Sequence, residues 1–504
     1  MVSKETAKKE ILAVLIVGVL MSAIDTTIII LALPTIDAKL HAGIALSIWT
    51  IMAYILVITV LSTQVGKLGD KFGRAKLYNY GIAIFIIGSA LCGLSPDMLA
   101  LIGFRALQAV GGALIGTSSA AVVSDNFEPH ERGKAFGFTA LGWNLGSIMG
   151  IFLGGLLTTI NWRLIFLINV PIGILLLPIS IKRLRDAKEK IKERFDLLGS
   201  VLLGIALFIL TIMAVYAIYS GFDASSAILL AFALLFTALF VIRERRISFG
   251  IIDLKIFKNR IFTFSVLSSM LQFTASFAVL FVLILYLQGV RGLNPFTASL
   301  YLLPGYVIGA FVGPRMGKLS DKIGSRIPAT TGLFLIFVGY VLYILLIAPS
   351  SPLYYIALIT VLTGIGSGMF FPSNTSAVMA NAPRDKYGMA SGINRTLGNV
   401  GMVLSFVIAL TAISISMPRT DALSIFLGTR IGGLAPSVKL SFMAGLHAAF
   451  IASGAMLIIG MFMSASRGKE NREQLRREIG IEKELEAEFP KAGKGLRNRT
   501  PKSN

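Results

Sequence analysis

Two charged side chains sit where charge is expensive. Asp25, in IDTTIIILALP (Ile24 to Pro34), and Arg105, in FRALQAVGGA, each lie within a run of apolar residues. A charge inside such a span costs at least about 2.5 kcal/mol unless it is paired or wetted, which makes both residues candidates for function. Burial disfavours the charged form of a carboxylate and a neighbouring cation favours it. A carboxylate that alternates between those surroundings loads and releases a proton, so Asp25 is the candidate proton carrier and Arg105 its partner. Counting along helices at 1.5 Å per residue, Asp25 lies about eight residues before the end of its run and Arg105 about seven after the start of its own. Both are then about 10 to 12 Å below the same surface.

A second constellation occurs twice. GKLGDKFGR (Gly66 to Arg74) returns as GKLSDKIGSR (Gly317 to Arg326), each copy between two long apolar segments. Gly66, Gly73, Gly317 and Gly324 permit a tight bend and close helix approach. Asp70 and Asp321 can accept from Lys71, Arg74 and Lys322 or cap the following helix, so each turn is read as an ionic latch whose opening frees one end of the bundle. The second copy inserts Ser325 before Arg326, which predicts two unequal locks. A duplicated turn in apolar surroundings is the mark of two related membrane bundles in tandem.

The elements that must carry these residues are set by hydropathy. Apolar residues make up 55% of the chain, charged residues 14%, and mean hydropathy is +0.78, too apolar for a water-soluble surface. Windows of about 20 apolar residues recur about fourteen times, from near 11–33 to near 441–464. Period-two alternation is absent, which excludes a β-barrel, and open strands would leave backbone groups unpaired in lipid. The fold class is therefore all-α and polytopic. The two turns occupy equivalent places if 1–195 is an N-terminal six-helix bundle, 196–245 an inserted helix pair, 246–465 a C-terminal six-helix bundle and 466–504 a charged tail. With the N-terminus inside, about 39 of the 47 Lys and Arg fall on the cytoplasmic side, which places both termini there. The net charge of +21 is thus a topology signal and not a nucleic-acid surface. The NRT triplet at Asn498 matches a glycosylation acceptor but falls on that same side.

Span 5 carries Gly142, Gly146, Gly150, Gly154 and Gly155, a stripe that brings helix backbones together. Polar and aromatic residues within spans, Tyr54, Gln108, Trp143, Asn144, Gln272, Asn374, Asn394 and Arg395, are candidates to line a substrate cavity. Arg395 is the most costly of them. Cys92 is read as a small buried residue, and the scattered His41, His130 and His447 make no metal set. No phosphate-binding loop is present, and GIGSGMFFP at Gly364 to Pro372 lies inside a span with no preceding strand. These features exclude nucleotide-driven transport within the chain and argue against an enzyme.

GKLGDKFGR resembles motif A of the major facilitator superfamily. Fourteen spans with IDTTIIILALP, and NWRLIFLINVPIG at Asn161 to Gly173, are similar to its fourteen-helix drug:proton antiporter branch. FRALQAVGGA resembles motif B, with Ala109 in place of a glycine. There the resemblance ties Arg105 to proton coupling. Gly146, Gly150, Gly154 and Gly155 fall in a segment similar to the antiporter motif C, with Ile151 in place of its proline. The resemblance implies a plasma-membrane protein that exports hydrophobic or cationic small molecules by alternating access, driven by a proton gradient without a cofactor. It is expected to act as a monomer. The alternative is a proton-coupled importer or a facilitator for a small organic solute.

Overall fold

The computed structural model describes residues 4–127, 129–184, 186, 196–220, 223–247, 254–382, 387–416 and 436–468. The tail beyond residue 468, with Asn498, lies outside them, as do the side chains of Asp70, Lys71, Asp321, Lys322 and His130. Every regular element among the described residues is helical. In the first half these are α1 (Lys4–Leu40), α2 (Ile44–Phe72), α3 (Arg74–Gly93), α4 (Met98–Asn126), α5 (Pro129–Ile160), α6 (Leu164–Leu167) and α7 (Asn169–Arg183). An intervening pair follows, α8 (Leu197–Ser220) and α9 (Ala224–Arg246). The second half contains α10 (Arg260–Leu285), α11 (Pro295–Ile323), α12 (Arg326–Leu346), α13 (Tyr354–Ala380), α14 (Tyr387–Ser416) and α15 (Pro436–Ser466). Among the described residues twelve spans are long and apolar enough to cross a membrane, and shorter apolar stretches at Leu46–Ser62 and Leu198–Met213 occupy the two remaining expected positions. The chain is a multi-pass membrane protein.

One boundary differs from the hydropathy reading. Helix α1 continues through Pro34 to Leu40, seven residues past the expected end, and so places a second buried carboxylate, Asp37, inside it. Ser47 Oγ at the start of α2 donates to Asp37. The sixth span, expected as one helix, runs over Leu164–Arg183, and Ile168 keeps helical dihedral angles between α6 and α7. Pro171 has no N–H to donate to the carbonyl of Leu167, so one backbone hydrogen bond is missing there.

The glycine stripe of α5 faces α1. A Cβ placed on Gly142, Gly146, Gly150 or Gly154 would lie 2.6 to 3.0 Å from the carbonyl oxygens of Ile16, Leu20, Ile24 and Ile28 respectively. The two backbones therefore touch over four turns, and Asp25 sits in the middle of that contact. Gly155 points away from α1 and meets Pro295 and Ser299 of α11. In the second half α11 and α13 make a similar approach, with Gly305 against Gly364 and Gly309 against Gly368. The intervening pair is stapled where Asp196, fully buried, accepts from Arg243 Nε at 2.9 Å and Nη2 at 2.8 Å. Helix α8 packs on both α2 and α14, and Trp49 meets Phe208 with ring centroids 5.8 Å apart.

Lys and Arg concentrate at the end of the bundle that holds the start of α1, here the basic end; the end that holds Leu40 is the far end. At the far end one apolar cluster runs through both halves, joining Ile28, Leu33 and Ile48 to Val282, Leu285 and Leu302. At the basic end the halves have separate clusters, one around Leu15, Tyr78 and Val123, the other around Phe262, Val378 and Ile393. Gln288 also donates to the Leu31 carbonyl across the far-end seam at 3.1 Å.

Close backbone contact at α1 and α5 predicts that Gly150→Leu destabilises the protein by about 1 to 3 kcal/mol through overpacking. Gly103→Leu is the control, because a Cβ there meets no atom within 4 Å. Thermal unfolding in detergent followed by tryptophan fluorescence should show a lower midpoint for the first variant alone.

Candidate functional site

Asp25 and Arg105 meet, as their depths predicted. Arg105 Nη1 lies 2.7 Å from Asp25 Oδ2, with both side chains at most 1% exposed. The ion pair is built into a network drawn from six helices. Gln108, one turn after Arg105 on α4, donates from Nε2 to Asp25 Oδ1 at 2.8 Å and to Ser89 Oγ of α3 at 2.8 Å. Its Oε1 accepts from Arg105 Nη1 at 2.6 Å. Arg105 Nε donates to the Thr50 carbonyl of α2 at 3.1 Å. Asn169, the first residue of α7, donates to Asp25 Oδ1 at 3.4 Å. The guanidinium lies 4.1 Å from the centroid of the Tyr54 ring and 5.7 Å from that of Phe166 on α6. Cys92, buried as expected, places its Sγ 3.8 Å from Gln108 Oε1.

The two carboxylate oxygens differ in their surroundings. Oδ2 is held by the cation and Oδ1 by two neutral amides, so charge on Asp25 is matched within a space closed to water. Adding a proton to Asp25 would remove one charge of the pair and leave Arg105 to find another acceptor. Arg105 Nη2 already lacks a hydrogen-bond partner among the described residues. Beside it lies a cavity of about 10 Å³ lined by Thr26, Tyr54 and Arg105 of the first half and Phe277, Met402 and Phe406 of the second. That is room for about one water. The polar cluster therefore touches the seam between the halves at this small cavity.

Both duplicated turns end a helix on a left-handed glycine, Gly73 at φ 107° and Gly324 at φ 106°, and each returns its N–H to the carbonyl four residues back. The conformation requires glycine. Gly66 and Gly317 lie one and a half to two turns earlier, inside α2 and α11. The locks differ beyond that point. Arg74 reaches Asp125 of α4 at 2.5 Å and the Ala121 carbonyl, while Asp186 caps α3 by accepting from Ala75 N at 2.7 Å. In the second copy Ser325 occupies the place of Arg74, is fully buried, and accepts from Arg467 Nη2 at 2.7 Å, while Arg326 is exposed. Arg467, at the end of α15, also reaches Ser265 Oγ and Asn374 Oδ1 at 3.1 Å each. The cation comes from a different helix in each half.

The cavity candidates separate into three groups. Tyr54 lines the seam cavity, and Gln108 belongs to the Asp25 network and not to a substrate wall. Gln272 and Asn374 make contacts inside the second half. Gln272 Nε2 donates to Ser276 Oγ at 3.0 Å, itself bonded to Tyr340, and Asn374 Nδ2 donates to the Ser265 carbonyl at 2.9 Å. Asn144 is exposed about three turns before Gly155 on the same face of α5, the face that meets the second half, and Trp143 is half-buried beside it. Arg395 lies at the seam: a Cβ on Gly116 of α4 would fall 2.6 Å from its Cζ. His447 is a helix contact, 3.2 Å from the Ile347 carbonyl. Sequence reading missed Ser89 and Asn169, and for Asn169 a signal existed: an amide two residues before a proline inside an apolar run.

Residues 15–406 match the family model described as Major Facilitator Superfamily. The chain is 33% identical over 400 residues to the riboflavin transporter RibZ of Clostridioides difficile, covering 78% of this chain and 86% of that protein. It is 31% identical over 395 residues to the multidrug efflux pump LfrA of Mycolicibacterium smegmatis, covering 78% of each. Its fold matches the crystal structure of a bacterial homolog of the human lysosomal transporter Spinster, inward-facing and unoccupied, with a TM-score of 0.65 at 18% identity over 92% of this chain and 97% of that one. A duplicated helical bundle around a buried acid–base pair, matched over most of its length by this family, is a transporter: the chain belongs to the Major Facilitator Superfamily.

Proposed function

We propose that the protein exports hydrophobic or cationic small molecules across the plasma membrane by alternating access, in exchange for protons. The basic end and both chain termini face the cytoplasm, and the chain works as a monomer that converts no substrate, holds no cofactor and binds no nucleic acid. The observation that carries the reading is the Asp25–Arg105–Gln108 network, a fully buried carboxylate matched by one cation at the seam. When Asp25 takes a proton, Arg105 loses its counter-charge. The similarity to named multidrug proteins supports the cargo class.

A second reading, a carrier dedicated to one small organic solute, is favoured by the riboflavin transporter among the relatives and by Ile151 in the glycine stripe. Radiolabelled riboflavin offered to proteoliposomes separates the two. Saturable uptake of riboflavin that ethidium does not inhibit supports the dedicated carrier.

The network predicts two outcomes in proteoliposomes with an imposed pH gradient. Asp25→Asn should abolish uphill movement of ethidium while leaving exchange of ethidium across the membrane intact; gradient-driven transport that survives this change overturns the coupling role. Gln108→Leu removes a hydrogen bond to a charged group, worth about 1.5 to 3 kcal/mol, and should slow gradient-driven transport by roughly tenfold or more.

A further inference from the structure

A second carboxylate lies behind the seal of the far end. Asp37 is 2% exposed. Leu33, four residues before it, and Leu40, three after, share its face of α1 and belong to or pack on the apolar cluster that joins the halves. Asp37 Oδ1 accepts from Ser47 Oγ, and Gly43 N–H in the turn between α1 and α2 also acts on the carboxylate. Oδ2 is buried and has no hydrogen-bond partner among the described residues. No cation among those residues lies within ion-pair distance of Asp37. His41, the titratable side chain that acts on it, is exposed at the turn, and Lys39 is exposed on α1. The other charged groups of the far end are engaged elsewhere. Arg163 donates to the carbonyls of Gly93 and Ser95, Arg291 to Tyr286 Oη and the Ser351 carbonyl, and Asp97 accepts from Ala100 N at the start of α4. Asp25, equally buried, has a cation and two amides; Asp37 has neither.

A charge enclosed without a cation, with one oxygen bare, is costly, and a proton on Oδ2 removes it. Once the cluster around Leu33 and Leu40 parts, water reaches Oδ2 and solvates the ionised form. We propose that Asp37 is a second proton-binding site, where a proton from the outer water is held on Oδ2 while the far end is shut and is returned to that water when the far end opens. Proton binding and closure are then one linked equilibrium. The shut state binds the proton more tightly, so acid favours the shut far end and alkali the open one. Because the proton enters and leaves on the same side, Asp37 adds nothing to the charge transported through Asp25; it sets how readily the far end shuts. The inference rests on the transport reading, in which the far end faces the side that supplies protons. External acid there promotes closure of the gate behind a loaded carrier.

Spin labels on Leu94→Cys and Ser350→Cys, both exposed at the far end and one in each half, test it. Cys92 is fully buried, so labelling falls on the two introduced thiols. Double electron–electron resonance in lipid nanodiscs at pH 5 and pH 8 gives the ratio of long to short distances, the open and shut far ends. From pH 5 to pH 8 that ratio should rise at least about tenfold more in the labelled parent than in Asp37→Asn, which keeps the shape and cannot ionise. Ser47→Ala takes a donor from Oδ1 but leaves the acid, and its rise should stay within about twofold of the parent's. An equal change in parent and Asp37→Asn, none in either included, overturns the proposal. So does an equal loss in Asp37→Asn and Ser47→Ala, which marks the turn and not the acid. Matched elution on size-exclusion chromatography guards against misfolding. Ethidium transport under a pH gradient tests the exporter reading separately. If ethidium moves but the rise does not depend on Asp37, only the proton site falls; if the rise depends on Asp37 but ethidium is not moved, only the exporter reading falls.

Discussion

A carboxylate and a guanidinium 2.7 Å apart, both at most 1% exposed, set the terms for the first half of the molecule. Removing one partner of such a pair costs about 3 to 5 kcal/mol, because the other charge is stranded. The surrounding helices are arranged to prevent that. Glycines on α5 let α1 come close enough for Asp25 to be enclosed. Asn169 of α7 reaches the same oxygen that Gln108 holds. Tyr54 covers the guanidinium face that has no hydrogen-bond donors to offer. Each device is local, and each makes sense only because the pair is there.

The same constraint explains why the two halves share a backbone plan and differ in charge. Gly73 and Gly324 close their helices with nearly identical dihedral angles, as expected of a repeated turn. In the first half the turn supplies its own cation, Arg74, to Asp125. In the second, a serine takes that place and Arg467 arrives from α15 to tie α10, α12 and α13 together. The hydrogen-bonding demand at the basic end is conserved within the chain while its supplier is not. One lock is thus set within neighbouring helices and the other by the last span, so the two bundles are held by connections of different reach.

Much of this was legible from residue types and helix rise. Asp25 and Arg105 could be matched because both depths are counted from the same surface, and a rise of 1.5 Å per residue leaves little freedom over seven or eight residues. Spans were legible because lipid demands long apolar helices. Gln272 and Asn374 were less so: an amide inside a span marks a hydrogen bond but not which helix receives it, and both turned inward to their own half. Asn169 lay within an apolar run that hydropathy reads only as a span. Asp37 was hidden by the assumption that Pro34 ends α1, whereas packing of Ile28 through Ile36 carries the helix past it.

The division of the apolar core gives these contacts a direction. A single cluster crosses the halves at the far end, while at the basic end each half keeps its own. The far end is therefore the shut end of this state, sealed by apolar burial, by Gln288 on the Leu31 carbonyl and by Gly155 against α11. Opening it requires separating that cluster, a cost that grows with the apolar area exposed, at about 25 cal/mol per Å² where water enters.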